Sequence, residues 1–173
     1  MKEELCLVRL DTEYCNYLRK FDDKVPYNYN EKEIRPFVGV LFAIDNCMYF
    51  APLSSPKPKH LRLKAKIDFL KIDNGKLGAI NFNNMLPVTE KNIIKLDLNK
   101  KSVTKSEEKY MILLEKQLHW LNRNSEKLYG RSKKLYEKYL NKTLEKNIYK
   151  RCCNFKLLEE KCLLFNSYEL QTN

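Results

Sequence analysis

Phe69-Leu70-Lys71-Ile72-Asp73-Asn74-Gly75-Lys76-Leu77-Gly78-Ala79-Ile80-Asn81-Phe82 sets two apolar runs on either side of Asp73-Asn74-Gly75-Lys76. Asn and Gly enter left-handed backbone conformations at low cost, and tight turns between antiparallel strands need such residues. The stretch predicts a β-hairpin with strands at 69–72 and 77–82. Upstream, Arg35 to Ile44 is dense enough in apolar residues to predict a strand covered on both faces. Asp45-Asn46 then signals a tight turn into a returning strand at Met48 to Leu53. Leu5 to Leu10 reads as a first strand, with Asp11 or Thr12 capping a short helix that carries Tyr14, Leu18 and Phe21 on one face. Met85 to Val88 and Ile93 to Leu98 supply further short strands, and Phe37, Tyr49 and Phe50 read as core.

After Lys101 the apolar period changes from two to 3.6. Tyr110, Leu113, Leu114, Gln117, Leu118 and Leu121 line one face of a helix starting near Ser106, with His119 and Trp120 read as structural. A second helix carries Leu128, Leu135, Tyr136 and Tyr139, and Phe155 to Phe165 predicts a third. Repeats and linkers are missing from the sequence. The expectation is one α+β domain spanning residues 1–173, a strongly bent, barrel-like antiparallel sheet with helices packed on it.

The 173 residues carry 33 Lys and Arg against 22 Asp and Glu, a net charge of +11. A domain this basic suits a polyanion, nucleic acid first, although a lysine-rich composition alone gives the same sum. The first residues, Met1-Lys2-Glu3-Glu4-Leu5, lack a signal-peptide run, and apolar stretches of bilayer-spanning length are missing, so the expected location is cytoplasmic and away from membranes. Cys6, Cys15, Cys47, Cys152, Cys153 and Cys162 then read as reduced thiols. They make no CxxC pair, and His60 and His119 lie far from them in sequence, so neither a metal nor another cofactor is expected.

The chemistry concentrates in Tyr49-Phe50-Ala51-Pro52-Leu53-Ser54-Ser55-Pro56-Lys57-Pro58-Lys59-His60. A strand runs out into two hydroxyls, followed by Lys57 and Lys59 on a backbone stiffened by proline. Amines answer negative charge and hydroxyls hydrogen-bond phosphoryl oxygens, so the group suits a phosphodiester. A solvated loop at a sheet edge has the same composition. His60 titrates nearest neutrality and is a second candidate base. Asn81, Asn83 and Asn84 either touch bases or satisfy a turn, and the basic residues from Arg123 to Lys142, Arg131 and Lys134 among them, form an RNA-binding face or a solvated helix.

Four segments resemble the ToxN/AbiQ family of type III toxin–antitoxin and phage-defence endoribonucleases. They are Phe21-Asp22-Asp23-Lys24-Val25-Pro26-Tyr27-Asn28, Arg35-Pro36-Phe37-Val38-Gly39-Val40, Tyr49 to Lys57, and Gly78-Ala79-Ile80-Asn81-Phe82-Asn83-Asn84-Met85-Leu86-Pro87-Val88. The resemblance implies a bent sheet similar to that of the MazF/Kid toxins and metal-free cleavage of RNA, often at adenine-rich sites. The family's active-site motif falls on Ser54, Ser55 and Lys57. Its upstream tyrosine and basic residue fall on Tyr29 and Lys32, with Tyr27 as the alternative tyrosine.

The implied partners are a cellular or phage RNA substrate and an inhibitory antitoxin RNA of repeated pseudoknot units, bridging toxin chains into a ring. Metal-free cleavage implies attack by the substrate's own 2′-hydroxyl, leaving a 2′,3′-cyclic phosphate. Lys57 is the expected charge stabiliser, with Ser54 and Ser55 on the phosphoryl oxygens. Tyr27, Lys59, His60, Asn83, Arg131 and Lys134 are the expected RNA contacts. Two other readings stand beside this one: a non-catalytic RNA-binding regulator, and a MazF-like toxin held by a protein antitoxin.

Overall fold

The computed structural model describes residues 4–27 and 35–169. In chain order these form β1 (Cys6–Leu10), α1 (Thr12–Arg19), β2 (Phe37–Gly39), β3 (Ala43–Ile44), β4 (Cys47–Ser54), α2 (Pro58–Arg62), β5 (Phe69–Lys71), β6 (Ala79–Asn81), β7 (Leu86–Val88) and β8 (Ile93–Lys95). The helices α3 (Lys105–Arg123), α4 (Ser125–Leu140), α5 (Lys146–Arg151) and α6 (Phe155–Glu169) follow. The expected α+β class, antiparallel throughout its sheet, is what the chain adopts.

Strand β4 is the axis of the sheet. One edge pairs with β2 and then β3, the other with β6 and then β7, and β5, β1 and β8 extend the sheet outward. Both neighbours are broken at the same level. Val38 faces Ala51 and Ala43 faces Met48, so five steps of chain answer three on β4. On the other edge Ile80 faces Leu53 and Leu86 faces Phe50, six steps against three. Extra residues on both sides of one point force a sheet to bend there. This break divides the single strand expected over Arg35 to Ile44, although Leu41 still donates its N–H to the Tyr49 carbonyl across it (3.0 Å).

Local signals explain most elements. Asp11 caps α1 by accepting the Tyr14 N–H at 2.8 Å. Asp45-Asn46 is the two-residue turn between β3 and β4, with Asp45 at φ 50°. Thr104 and Glu107 form a capping box at the start of α3. The hairpin β5–β6 is present with a wider turn than expected, because Asp73, Asn74 and Gly75 all take positive φ and Leu77-Gly78 joins the turn. Phe21, expected to face the core, is 42% exposed and packs edge-on against Tyr17.

Strand alternation puts Val8, Phe37 and Phe50 on one face of the sheet and Tyr49, Leu53 and Ile80 on the other, and all of them are buried in one core cluster. Helix α6 lies on β7 and β4. There Glu159, only 9% exposed, accepts the hydroxyls of Tyr49 (2.7 Å) and Tyr136 (2.6 Å) at Oε1 and the Lys156 amine (2.7 Å) at Oε2. A buried carboxylate is tolerated when its lone pairs are occupied in this way. Glu159→Leu leaves two hydroxyls without an acceptor and should lower unfolding stability by about 2–4 kcal/mol in urea titration. Glu159→Gln, which keeps the oxygen, should recover a large part.

Candidate active site

Ser54 is the last residue of β4, so its position is fixed by the most heavily paired strand of the sheet. Its backbone pairs with Ala79 of β6, and its hydroxyl oxygen accepts the Asn81 amide at 2.9 Å. An oxygen that accepts from an amide keeps its own O–H proton for another acceptor, so Ser54 can donate to a phosphoryl oxygen. On the other edge Leu53 donates its N–H to the Pro36 carbonyl at 2.9 Å, which brings the half-buried Arg35 alongside Ser54. Burial lowers the Arg35 pKa from its ordinary value.

Beyond Ser54 the chain turns away from the sheet, and Ser55, Lys57 and Lys59 are all exposed. The segment expected to be a stiff loop contains a helix, α2, with Lys57 at its N-cap and Pro58 in its first turn. Proline fits there because the first helical N–H groups have no internal partner. His60 closes this turn from inside. Its Nδ1 accepts the Lys57 backbone N–H at 3.3 Å, its own N–H donates to the Lys57 carbonyl at 2.8 Å, and its ring rests near Phe69 at 5.9 Å. At 2% exposure His60 does not reach out to RNA, and burial followed by the Lys59 and Lys57 charges lowers its pKa. The neutral ring is the form that can accept at Nδ1.

Two glycines of the β5–β6 turn let this segment sit down on the hairpin. A Cβ on Gly75 would lie 2.7 Å from the His60 carbonyl oxygen, and one on Gly78 would lie 2.0 Å from that of Ser54. Both also have positive φ, at 95° and 102°. Lys71 adds a contact from β5 to the Leu61 carbonyl at 3.4 Å.

The other expected residues divide into groups. Tyr29 and Lys32 lie outside the described residues. Tyr27 is 66% exposed, with the Arg19 guanidinium 4.4 Å from its ring centre. Asn83 is tied into the fold: its amide bonds Asn84 (3.0 Å) and the Arg151 carbonyl (3.3 Å), and its carbonyl accepts the Cys153 N–H. Arg131 bonds the Lys66 carbonyl, and Lys134 is exposed on α4. Residues that the sequence reading did not single out complete the frame. Asp68 is 2% exposed and paired with Arg151 at 2.7 Å, so with Arg131 it straps the segment after α2 to the C-terminal helices. Local sequence carries no signal for contacts that span 65 and 83 residues.

Among the described residues no group of three His, Cys, Asp or Glu side chains could hold a metal ion, and no helix is long and apolar enough to cross a membrane. None of the six cysteines is in a disulfide. Gly78→Ala should lower both stability and activity, because backbone rather than a movable side chain blocks the added carbon. Circular dichroism melts and any activity assay check this, with Gly130→Ala, which meets nothing within 4 Å, as the neutral control.

A family model described as toxin ToxN of type III toxin–antitoxin systems matches residues 6–162. Endoribonuclease ToxN of Bacillus thuringiensis subsp. kurstaki is 35% identical over 157 residues, covering 88% of this chain and 80% of that protein. Endoribonuclease AbiQ of Lactococcus lactis subsp. lactis is 36% identical over 166 residues, covering 89% of this chain and 85% of its own. The solved structure of AbiQ, a lactococcal anti-phage endoribonuclease, superposes with a TM-score of 0.80 at 30% identity, over 95% of this chain and 99% of that one. A bacterial type III toxin studied for its selective inhibition by a non-coding RNA pseudoknot superposes equally well, at 0.80 and 31% identity over the same shares. Sequence and fold thus agree along almost the whole chain, and the chain belongs to the ToxN family of type III toxin–antitoxin endoribonucleases.

Proposed function

We propose that this endoribonuclease cuts RNA at the end of β4 by setting the substrate's 2′-hydroxyl in line with the adjacent phosphorus. The 2′-oxygen gives up its proton and bonds to phosphorus, the 5′-oxygen of the next nucleotide leaves and takes up a proton as a 5′-hydroxyl, and a 2′,3′-cyclic phosphate remains. Lys57 stabilises the charge that builds on the phosphoryl oxygens, and Ser54 and Ser55 hydrogen-bond those oxygens. The observation that carries this reading is the end of the buried strand β4, where Asn81 fixes the Ser54 hydroxyl and His60 fixes the backbone of Lys57, with the side chains of Ser55 and Lys57 exposed between and beyond them. Arg35 lies one residue before the Pro36 carbonyl that accepts the Leu53 N–H, at the same end of β4. Tyr29 and Lys32 are proposed to complete the site from the loop before β2.

The inhibitor is proposed to be an antitoxin RNA of repeated pseudoknot units that bridges toxin chains into a ring and covers the site against cellular or phage RNA. Inhibition of a solved relative by a non-coding RNA pseudoknot supports this over a protein antitoxin. The net charge of +11 supplies the field, and neutralising roughly six phosphates would give a slope of log K against log salt of about −4.

Lys57→Ala and Ser55→Ala should each abolish RNA cleavage and toxicity while the protein stays folded, since both side chains are exposed. Ser54→Ala should cost less, its neighbour supplying a second hydroxyl. Wild-type rates in either of the first two variants would overturn the site assignment. A single 2′-deoxy substitution at the scissile nucleotide should stop the reaction, and EDTA should not. Cleavage of the deoxy substrate would exclude attack by the 2′-hydroxyl. Mixing toxin with RNA repeats and measuring complex mass and competition with substrate tests the proposed inhibitor.

A further inference from the structure

The exposed side of α3 carries a cleft of about 690 Å³ that the proposed chemistry does not use. Lys116, His119, Trp120 and Arg123 recur at three- and four-residue intervals and so share one helix face. Asp73 and Leu77, from the turn of the β5–β6 hairpin, form the opposite wall. The volume falls in the range of small-ligand sites, which suits a single nucleotide. Trp120 is half-buried, while Lys116 and Arg123 are exposed one turn to either side of it. An indole between two cations matches the repeat of a nucleic acid strand: a base to stack and a phosphate on each side.

This cleft is coupled to the active site through backbone. Gln117, 1% exposed, donates its amide to the Leu77 carbonyl at 2.7 Å and so ties the cleft helix to the hairpin. The next residue, Gly78, lies against the Ser54 carbonyl, and Ala79 pairs with Ser54. The wall of the cleft is therefore the turn of the hairpin whose second strand, β6, pairs with β4 at Ser54. Two carboxylates, Asp73 and Glu115, also face the cleft. They repel a phosphate and accept from N–H donors, so the base edge belongs on their side and the phosphates on the side of Lys116 and Arg123.

From these contacts we infer that the cleft is a subsite for one nucleotide of the substrate RNA beside the scissile phosphate, with Trp120 as the stacking platform. The two carboxylates make it select a base with an exocyclic amine over uracil. The inference rests on the endoribonuclease reading, and its test separates the two. Trp120 is the chain's one tryptophan, so its emission reports on the cleft directly. In the Ser55→Ala protein, excited where tyrosine does not absorb, a short RNA should quench that emission along the binding curve measured by anisotropy. An oligouridine should quench less than an amine-bearing RNA of equal length.

In the cleavage assay Trp120→Ala should lower kcat/KM roughly tenfold or more on such RNA, the usual loss for one stacked base. Trp120→Phe should restore part of it, and Lys116→Ala with Arg123→Ala should raise KM more than it lowers kcat. An unquenched tryptophan together with wild-type kinetics in Trp120→Phe and the double variant would overturn the subsite. Wild-type cleavage with weakened antitoxin inhibition would assign the cleft to the inhibitor RNA and also overturn it. A wild-type protein that cuts no RNA would remove the endoribonuclease reading and the subsite with it.

Discussion

Strand β4 is hydrogen-bonded on both edges and covered on both faces from Tyr49 to Leu53, and the other elements are arranged around that constraint. A strand so enclosed cannot shift register, because a slip of one residue would turn every buried side chain to the wrong face. Its neighbours are less constrained. Both carry extra residues opposite the same point, so the bend falls on them and β4 stays continuous. The proposed chemistry begins where this rigid element runs out of sheet, at Ser54. The hydroxyl inherits the positional precision of the strand, while Ser55 and Lys57, just beyond it, stand exposed. Oriented attack depends on placement to a fraction of an ångström, and a strand end supplies that better than a free loop.

The groups that hold the site and the groups that act in it are chemically different. Asn81, His60, Gly75 and Gly78 fix Ser54 and the α2 turn without formal charge. The charged side chains of this segment, Lys57 and Lys59, stand exposed. In water a unit-charge pair at 4 Å is worth about 1 kcal/mol, but about 4 kcal/mol at the effective dielectric of a partly enclosed site. An exposed lysine is therefore a weak electrostatic catalyst until RNA covers it and excludes solvent. The net charge of +11 brings RNA to the surface but does not choose the bond to cut. In the proposed mechanism the uncharged frame makes that choice, because it sets where the hydroxyls stand.

Much of this was legible because local physics dominates it. The Asp45-Asn46 turn, the Asp11 cap, the Thr104–Glu107 box and the α3 face were readable from residues a few positions apart. The exposure of Ser55 and Lys57 beyond the end of β4 was legible for the same reason. What escaped depends on distant partners. Helix α2 is short and rich in proline and lysine, and its N-terminal turn is closed by His60, buried against a hairpin that has to arrive first. The division between β2 and β3 follows from pairing with β4, not from a breaker in Arg35 to Ile44. Asn83 read as either an RNA contact or a turn residue, and its contacts with Arg151 and Cys153 put it in the frame.

His60 and Asp68 show why chemistry-bearing residue types mislead when burial is unknown. An imidazole next to catalytic-looking lysines invites a role as base, yet a base must reach the proton it removes, and at 2% exposure this ring faces inward. Its contribution is geometric. It keeps the Lys57 N–H and carbonyl engaged, so the lysine side chain leaves the backbone from one fixed point. Asp68 is likewise a carboxylate near a phosphate-binding segment, where a free negative charge would oppose RNA. Pairing with Arg151 neutralises it, and burial keeps it away from the ligand. One of its oxygens, Oδ1, is buried without a hydrogen-bond partner, so the charge is held in place by Arg151 more than by a full shell of donors. Removing that arginine would leave an uncompensated buried charge under the basic segment, at a cost to the frame rather than to the chemistry. The residues proposed to act on RNA and the residues that hold them are thus distinguished by exposure more than by residue type.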